Sequence, residues 1–246
     1  MRLLSYNIHK AIGVRDRRYD LERITQVIAK EKPDLICLQE VTWKARRTQY
    51  QDQPRILAEQ FNARASSFQL NVHYRTGGYG NLILSPWPFA TEHHVCLRKG
   101  WRKPRGAQLV VVKTPEGDLH LGNWHLGLRE RERHWQADRL LRHEHFRRSA
   151  SLPTFIVGDF NDWRNTLADG PFAHHEFDHA TGPASLFRSF PAFMPMLSLD
   201  KAFHRGRISV HNVRVVDTRL AQSASDHLPL VVDFRLNPNH ATEAGH

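Results

Sequence analysis

The run PTFIVGDFND, residues 153 to 162, decides the fold. Phe155, Ile156 and Val157 form an apolar core between Pro153 and Gly158, which reads as a fully apolar strand of the kind that needs a layer on each face. Asp159 and Asn161 follow directly, where a rigid strand end can aim them. The same grammar recurs outward from this point. Leu3 to Ile8 is a short strand with Asn7 at its end in SYNIH, and Asp34 to Val41 is a second with Glu40 in CLQEV. Between them Asp20 caps a helix whose Leu21, Ile24, Val27 and Ile28 keep helical spacing, and Pro33 ends it. A second helix is expected near Ile56 to Phe61. Strands are expected at Phe68 to Tyr74, Tyr79 to Ser85, Phe89 to Leu97, Gln108 to Lys113, Leu119 to Trp124, Leu197 to Phe203, Val210 to Val216 and Leu230 to Leu236. Glu130 to Ser149 reads as one charged helix that buries Trp135, Leu140, Leu141 and Phe146. About ten strands with helices at only some crossings predict two mixed, mostly antiparallel sheets packed face to face with the helices outside.

Composition narrows the function classes. The chain has 246 residues, 40% of them apolar and 24% charged, which excludes a disordered or collagen-like protein. Cys37 and Cys96 are the only cysteines, so a disulfide framework or a multi-cysteine metal cluster is excluded, and a reducing, cytoplasmic location is expected. No apolar run approaches the roughly 20 residues of a membrane span. No linker or repeat divides residues 1 to 236, which are expected to form one domain, with residues 237 to 246 as a disordered tail. The net charge of +10 directs attention to polyanionic partners, nucleic acid or an anionic lipid surface. No obligate protein partner is implied.

Polar residues at strand ends carry the chemistry. Besides Asn7, Glu40, Asp159 and Asn161, His125 closes LGNWH, Asp226 and His227 lie in SASDHLPL before the last strand, and Asp200 lies in LSLDKAF. Any one of these alone is a turn or cap residue by default. The words GDFN and SDH, with a strand-ending Glu upstream and His125 between, occur in one order, and in this the chain resembles the endonuclease/exonuclease/phosphatase superfamily of DNase I-like enzymes over about Met1 to Leu236. The resemblance implies an α/β (α+β) fold, a four-layer αββα sandwich, and metal-dependent hydrolysis of phosphoesters. It also implies roles. Glu40, Asn7 and Asp226 would hold Mg²⁺ or Mn²⁺, Asp159 would activate water, and Asn161 would orient water or phosphate. His227 would donate to a phosphate oxygen with Asp200 behind it, and His125 would stabilise the pentacoordinate state or protonate the leaving oxygen. No carboxylate between Arg75 and Asn81 is available to pair with His125, and His9 stands where some relatives carry an acidic residue, which argues against a second metal there.

The substrate is read from the basic clusters. Arg15, Arg17 and Arg18 follow the strand that bears Asn7. Arg46 and Arg47 follow the strand that bears Glu40, and Lys99, Arg102 and Lys103 lie with Arg105 around Trp101. These favour a nuclease acting on DNA or RNA. Arg129, Arg131 and Arg133, alternating with Glu130 and Glu132, read as an exposed helix face. The alternative is a phospholipid or sphingolipid phosphodiesterase with an exposed aromatic loop from Trp87 and Phe89 or from Phe190 and Phe193. A non-catalytic basic module has no use for Glu40, Asp159 and His227 together.

Overall fold

Neighbouring residues in the first strand, β1 (Arg2–Asn7), are buried against opposite layers. Leu3 enters a core shared by two sheets, whereas Leu4 and Tyr6 pack beneath helices. The next strand, β2 (Leu35–Trp43), alternates in the same way, with Leu35 and Cys37 inward and Ile36 and Leu38 outward. The two-residue period of a strand thus feeds two cores at once, each buried Leu, Ile or Val contributing roughly 1.5–3 kcal/mol.

The computed structural model describes residues 1–238. The first sheet adds β3 (Ala65–His73), β4 (Gly78–Ser85), β11 (Ile208–Val215) and β12 (Leu230–Leu236), in the order β11-β12-β1-β2-β4-β3. The second contains β5 (Phe89–Cys96), β6 (Gly106–Thr114), β7 (Gly117–His125), β8 (Thr154–Asp159), β9 (Asp178–His179) and β10 (Asp200–Arg205), in the order β5-β6-β7-β8-β10-β9. Helices α1 (Leu21–Glu31), α2 (Gln53–Gln60) and α5 (Arg219–Ala224) cover the outer face of the first sheet. Helices α3 (Glu130–Leu141) and α4 (Glu144–Arg148) cover the second. This is the expected αββα sandwich. None of the helices among the described residues is long and apolar enough to cross a membrane.

Two pairings are parallel, β1 with β2 and β7 with β8, and they set the site. Parallel neighbours end on the same side, so Asn7 lies across from Gln39, beside Glu40, in one sheet, and His125 lies across from Asp159 in the other. Antiparallel strands bring their starts to that same edge. Asp200 opens β10 opposite Asp159, and Leu230 opens β12 opposite Ser5, which delivers the preceding Asp226 and His227 beside Asn7.

Several expectations are corrected. The helix predicted from Glu130 to Ser149 breaks at Arg142 and His143 into α3 and α4, and Trp135 is only half-buried. On α3 the side chains of Glu132 and Arg133 are buried rather than solvated. Arg133 donates to the Leu128 carbonyl at 2.6 Å and pairs with buried Asp162 at 3.4 Å, so a long-range network and not pairing along the helix explains these charges. The strand expected from Leu197 begins at Asp200, because Leu197 bridges back to Phe190. Helix α5 and the two-residue β9 were not foreseen. Cys96 is exposed on β5. At the start of the expected tail, the Asn237 N–H donates to the Arg207 carbonyl at 2.9 Å, and residues 239 to 246 lie outside the described residues.

Candidate active site

Asn7, Glu40, His125, Asp159, Asn161, Asp226 and His227 line one pocket of about 390 Å³. Asp200 lies behind it, buried against His227. Glu40 owes its aim to a bulge. The register between β2 and β4 slips between Leu38 and Val41, and Glu40 takes a φ of 58°, a conformation that non-glycine residues adopt at a cost. Asn161, just past β8, has a φ of 52° and is held by its own N–H to Asp159 Oδ1 at 3.0 Å and by its side-chain amide to the Leu126 carbonyl at 3.1 Å. That leaves the Asn161 Oδ1 free to face the pocket. Beneath the pocket a polar network joins the sheets: Gln39 donates to Asn123 Oδ1 at 2.8 Å, and Asn123 donates to Gln108 at 3.1 Å and to the Leu38 carbonyl at 3.0 Å. With partners on several sides these buried groups help fix how the two sheets sit on each other, together with Asn81, which donates to the Gly106 carbonyl at 3.0 Å, and Gln108, which donates to the Ser67 carbonyl at 2.8 Å.

Asp159 is the hub. Its Oδ2 accepts from Asn7 Nδ2 at 3.0 Å and lies 3.3 Å from His125 Nε2 and 3.8 Å from His227 Nε2. Burial disfavours its charge and nearby Asp200 adds repulsion, so its carboxyl is pushed up to about 6 despite His227, Arg105 and the Asn7 hydrogen bond. The two imidazoles go opposite ways. Burial, with the cations Arg105 and Lys103, holds His125 well below the usual histidine range, so it is neutral. Arg105 approaches His125 Nδ1 at 3.4 Å and can only donate, which leaves the ring proton on Nε2, directed at Asp159. His227 is buried too, but the Asp200 and Asp159 carboxylates outweigh that burial and push it up to about 10, so it is an imidazolium at neutral pH. Its Nδ1 donates to Asp200 Oδ2 at 2.7 Å, and Ser189 Oγ donates to the same oxygen at 2.5 Å. The carboxylate absent from the region of Arg75 to Asn81 is therefore Asp159 itself.

Glu40 pairs with Lys10, a residue not singled out from the sequence. Burial acts against its charge, but Lys10, with Lys103 and Arg105 nearby, holds its carboxyl below the ordinary range. His9 turns toward Asp226, its Nε2 lying 3.9 Å from Oδ2. Of the basic residues expected to bind substrate, only Lys103 lines the pocket, with its ammonium 5.4 Å from the centre of the Tyr79 ring. Arg102 is tied to buried Glu132 at 3.2 Å, Lys99 lies over Trp135, and Arg46 sits in an exposed turn. Arg47 borders a neighbouring hollow. Arg105, in sequence one cation of a loop cluster, is buried, lines the pocket and keeps an Nε without a hydrogen-bond partner. The pairing of Gly106 with His125 turns it inward.

Comparison with known proteins agrees with this fold. Uncharacterized protein YbhP of Escherichia coli strain K12 is 26% identical over 251 residues, covering 96% of each chain. In structure the chain is similar to an endonuclease/exonuclease/phosphatase from Beutenbergia cavernae (TM-score 0.77, 23% identity, 96% of this chain and 72% of that one). It is also similar to the human Nocturnin catalytic domain with bound sulfate (TM-score 0.72, 20% identity, 96% and 93%). A third likeness is to a mannosyl-6-phosphatase of Bacteroides thetaiotaomicron (TM-score 0.70, 18% identity, 95% and 99%). The pattern of the Endonuclease/Exonuclease/phosphatase family matches residues 4–227, from the strand that bears Asn7 to His227, and the chain belongs to that family of hydrolases acting on phosphoesters.

Proposed function

We propose that this protein hydrolyses a phosphodiester with the help of a divalent cation, using Asp159 to activate water. The observation that carries the reading is Asp159 itself. It is a buried carboxylate whose proton affinity is raised toward neutrality, set between a neutral imidazole and an imidazolium in a pocket that also holds cations.

A metal fits the donor set. Glu40 and Asp226 are carboxylates that line the same pocket as Asn7, whose amide oxygen also accepts from the His9 N–H at 3.0 Å. That suits Mg²⁺ or Mn²⁺, which take one or two carboxylates and fill the remaining positions with water and phosphate oxygens. Bound there, the cation supplies charge neutralisation for the phosphoryl oxygens and a site to polarise water. The chain's own residues do the rest. Asp159 accepts the proton of the attacking water, oriented by the free Asn161 Oδ1. His227, kept charged by Asp200, donates through Nε2 to an equatorial phosphoryl oxygen, and Lys103 and Arg105 add positive charge where negative charge develops. His125, with its one ring proton on Nε2 directed at Asp159, keeps that carboxylate aimed, and the departing oxygen takes its proton from solvent.

A nucleic-acid backbone as substrate draws support from Lys103 and Arg105 in the pocket and from Arg47 in the adjoining hollow. A lipid-linked phosphoester draws support from Leu128, Trp163 and Phe190 on the same pocket's wall. Trp87 and Phe89 do not contribute to that reading, since both pack against the core between the sheets. A cytoplasmic site of action belongs to the reading, with both cysteines free thiols. The test is turnover of bis(p-nitrophenyl) phosphate, plasmid DNA, RNA and phospholipid vesicles after chelation and after return of Mg²⁺ or Mn²⁺. Full turnover in excess chelator would discard the cation, and an inert protein under every metal would discard the hydrolase.

A further inference from the structure

Leu128 and Trp163 line the catalytic pocket and are nevertheless 67% and 55% exposed, which puts them on its rim. The segment from Phe190 to Leu197 forms another part of that rim. Leu197 N–H donates to the Phe190 carbonyl at 2.8 Å, Met194 N–H to the Pro191 carbonyl at 3.0 Å, and Ala192 N–H to the Asp226 carbonyl at 2.7 Å. The loop is thereby closed on itself and fastened to the segment that carries the catalytic residues. Its base, Phe190 and Leu197, faces the pocket. Its tip presents Phe193, Met194 and Met196 to solvent, 42%, 54% and 54% exposed.

A second hollow of about 570 Å³ adjoins the first, sharing Phe190 and Asp226 with it. Ile12, Val14 and Phe193 form its apolar wall, and the exposed side chains of Arg17 and Arg47 stand at its edge. The mouth of the site therefore combines large apolar side chains on a hydrogen-bonded loop with cations beside them.

Apolar side chains gathered at the mouth of a site mark a surface made to meet something other than water. The kind of apolar group decides what. A nucleic-acid platform stacks bases on rings, and of the exposed side chains at this rim only Trp163 and Phe193 could serve. Leu128, Met194 and Met196 have no ring to offer, whereas hydrocarbon accepts all five. The two arginines and the net charge of +10 complement an anionic surface and no other.

We propose that this rim seats the protein on an anionic phospholipid surface, with Phe193, Met194 and Met196 entering the boundary between headgroups and acyl chains and the catalytic pocket facing the lipid phosphates. The inference rests on the phosphodiesterase reading and names its substrate class, a phosphoester presented by a lipid surface.

Co-sedimentation with vesicles of phosphatidylcholine alone, or of phosphatidylcholine mixed with phosphatidylglycerol, tests it. Wild-type protein binds the anionic vesicles. The combined variant Phe193→Ser, Met194→Ser, Met196→Ser binds them roughly tenfold or more weakly, while its thermal midpoint and its turnover of water-soluble bis(p-nitrophenyl) phosphate stay as in wild type. Arg17→Ser with Arg47→Ser also weakens anionic binding roughly tenfold, with a flatter dependence on salt. Equal binding to both vesicle types, or an undiminished triple variant, overturns the proposal. So does a wild type that ignores vesicles but loses single-stranded DNA binding in the triple variant, which assigns the rim to nucleic acid. Failure of the hydrolase reading looks different: wild-type protein inert toward the soluble diester with every divalent metal, whatever the vesicles show.

Discussion

Replacing Asp200 with Asn removes one negative charge and leaves the shape of the site nearly intact. Asp200 is buried, its Oδ2 accepts from His227 Nδ1 at 2.7 Å, and an Asn oxygen can still accept from His227 and from Ser189. Charge centres about 4 Å apart at an effective dielectric constant of about 20 interact by about 4 kcal/mol. That is about 3 pKa units. His227, pushed up to about 10 in the wild type, should then titrate near neutrality. The alkaline limb of the kcat–pH profile, measured on a phosphodiester that does not itself titrate, should move down by the same interval, and at pH 8 roughly nine-tenths of the imidazolium should be gone. The acid limb should move down as well, because Asp200 is one of the groups raising Asp159. Stability follows the same linkage. His227 is raised above its unfolded value, so its contribution is full below about 6.5 and is lost as pH climbs toward its folded pKa, and Asp200→Asn should flatten that decline. Ring ¹⁵N chemical shifts of His227 report the titration directly. An Asp200→Asn protein whose alkaline limb and ring shifts stay near 10 would refute the reasoning and return Asp200 to a purely structural place in its strand.

Asp159→Asn should lower kcat by roughly 10² to 10⁴ with little change in KM, as loss of a general base does, and a proportionate rise in KM would point to a binding role instead. His227→Ala and Asp200→Ala should each be severe but no worse together than the harsher one alone, because both act through one imidazole; losses that multiply would separate them. Glu40→Gln should shift the Mg²⁺ titration of activity to higher concentration, and an unchanged titration would move the cation to other ligands. His120, buried beside Phe146 and lowered by its burial to about 4, is neutral when folded. It should therefore cost the fold up to about 3 kcal/mol as pH falls from about 6.5 to 4, and His120→Met should blunt the acid-induced drop in denaturant midpoint.

The strand-end residues were legible because the signal is local. An apolar run that stops at a polar residue is visible along the chain, and Asn7, Glu40, His125 and Asp159 each stand where such a run ends. The parallel pairs that gather them were not written that way, since the sequence around Leu119 to Trp124 and around Pro153 to Val157 names two strands without naming their partner. Glu40 shows the next limit. Its strand looks regular in sequence, and only pairing with β4, where Gln39 and Glu40 together oppose one residue, produces the bulge that turns the carboxylate into the pocket.

Arg105 and Lys10 carry this limit furthest, because composition argued against noticing either. Arg105 follows four other cations in a loop, where a solvated side chain is the ordinary outcome, and Lys10 follows a strand end with nothing near it in sequence to pair with. Lys10 becomes a neighbour of Glu40 once β1 pairs with β2 inside the first sheet, whereas Arg105, which enters β6 in the second sheet, joins them only when the two sheets close face to face. Each would be costly to bury alone, as Glu40 would be. Opposite charges supplied by different sheets therefore make closure of the sandwich and assembly of the pocket one event. It follows that Glu40→Gln should loosen Lys10 and Arg105 as well as any cation, so its thermal midpoint in the absence of metal should fall below that of wild type. A midpoint that rises instead, as it would if repulsion between Glu40 and Asp226 dominated the empty site, would show that the cations do not neutralise the carboxylates and that the pocket depends on a bound metal to close.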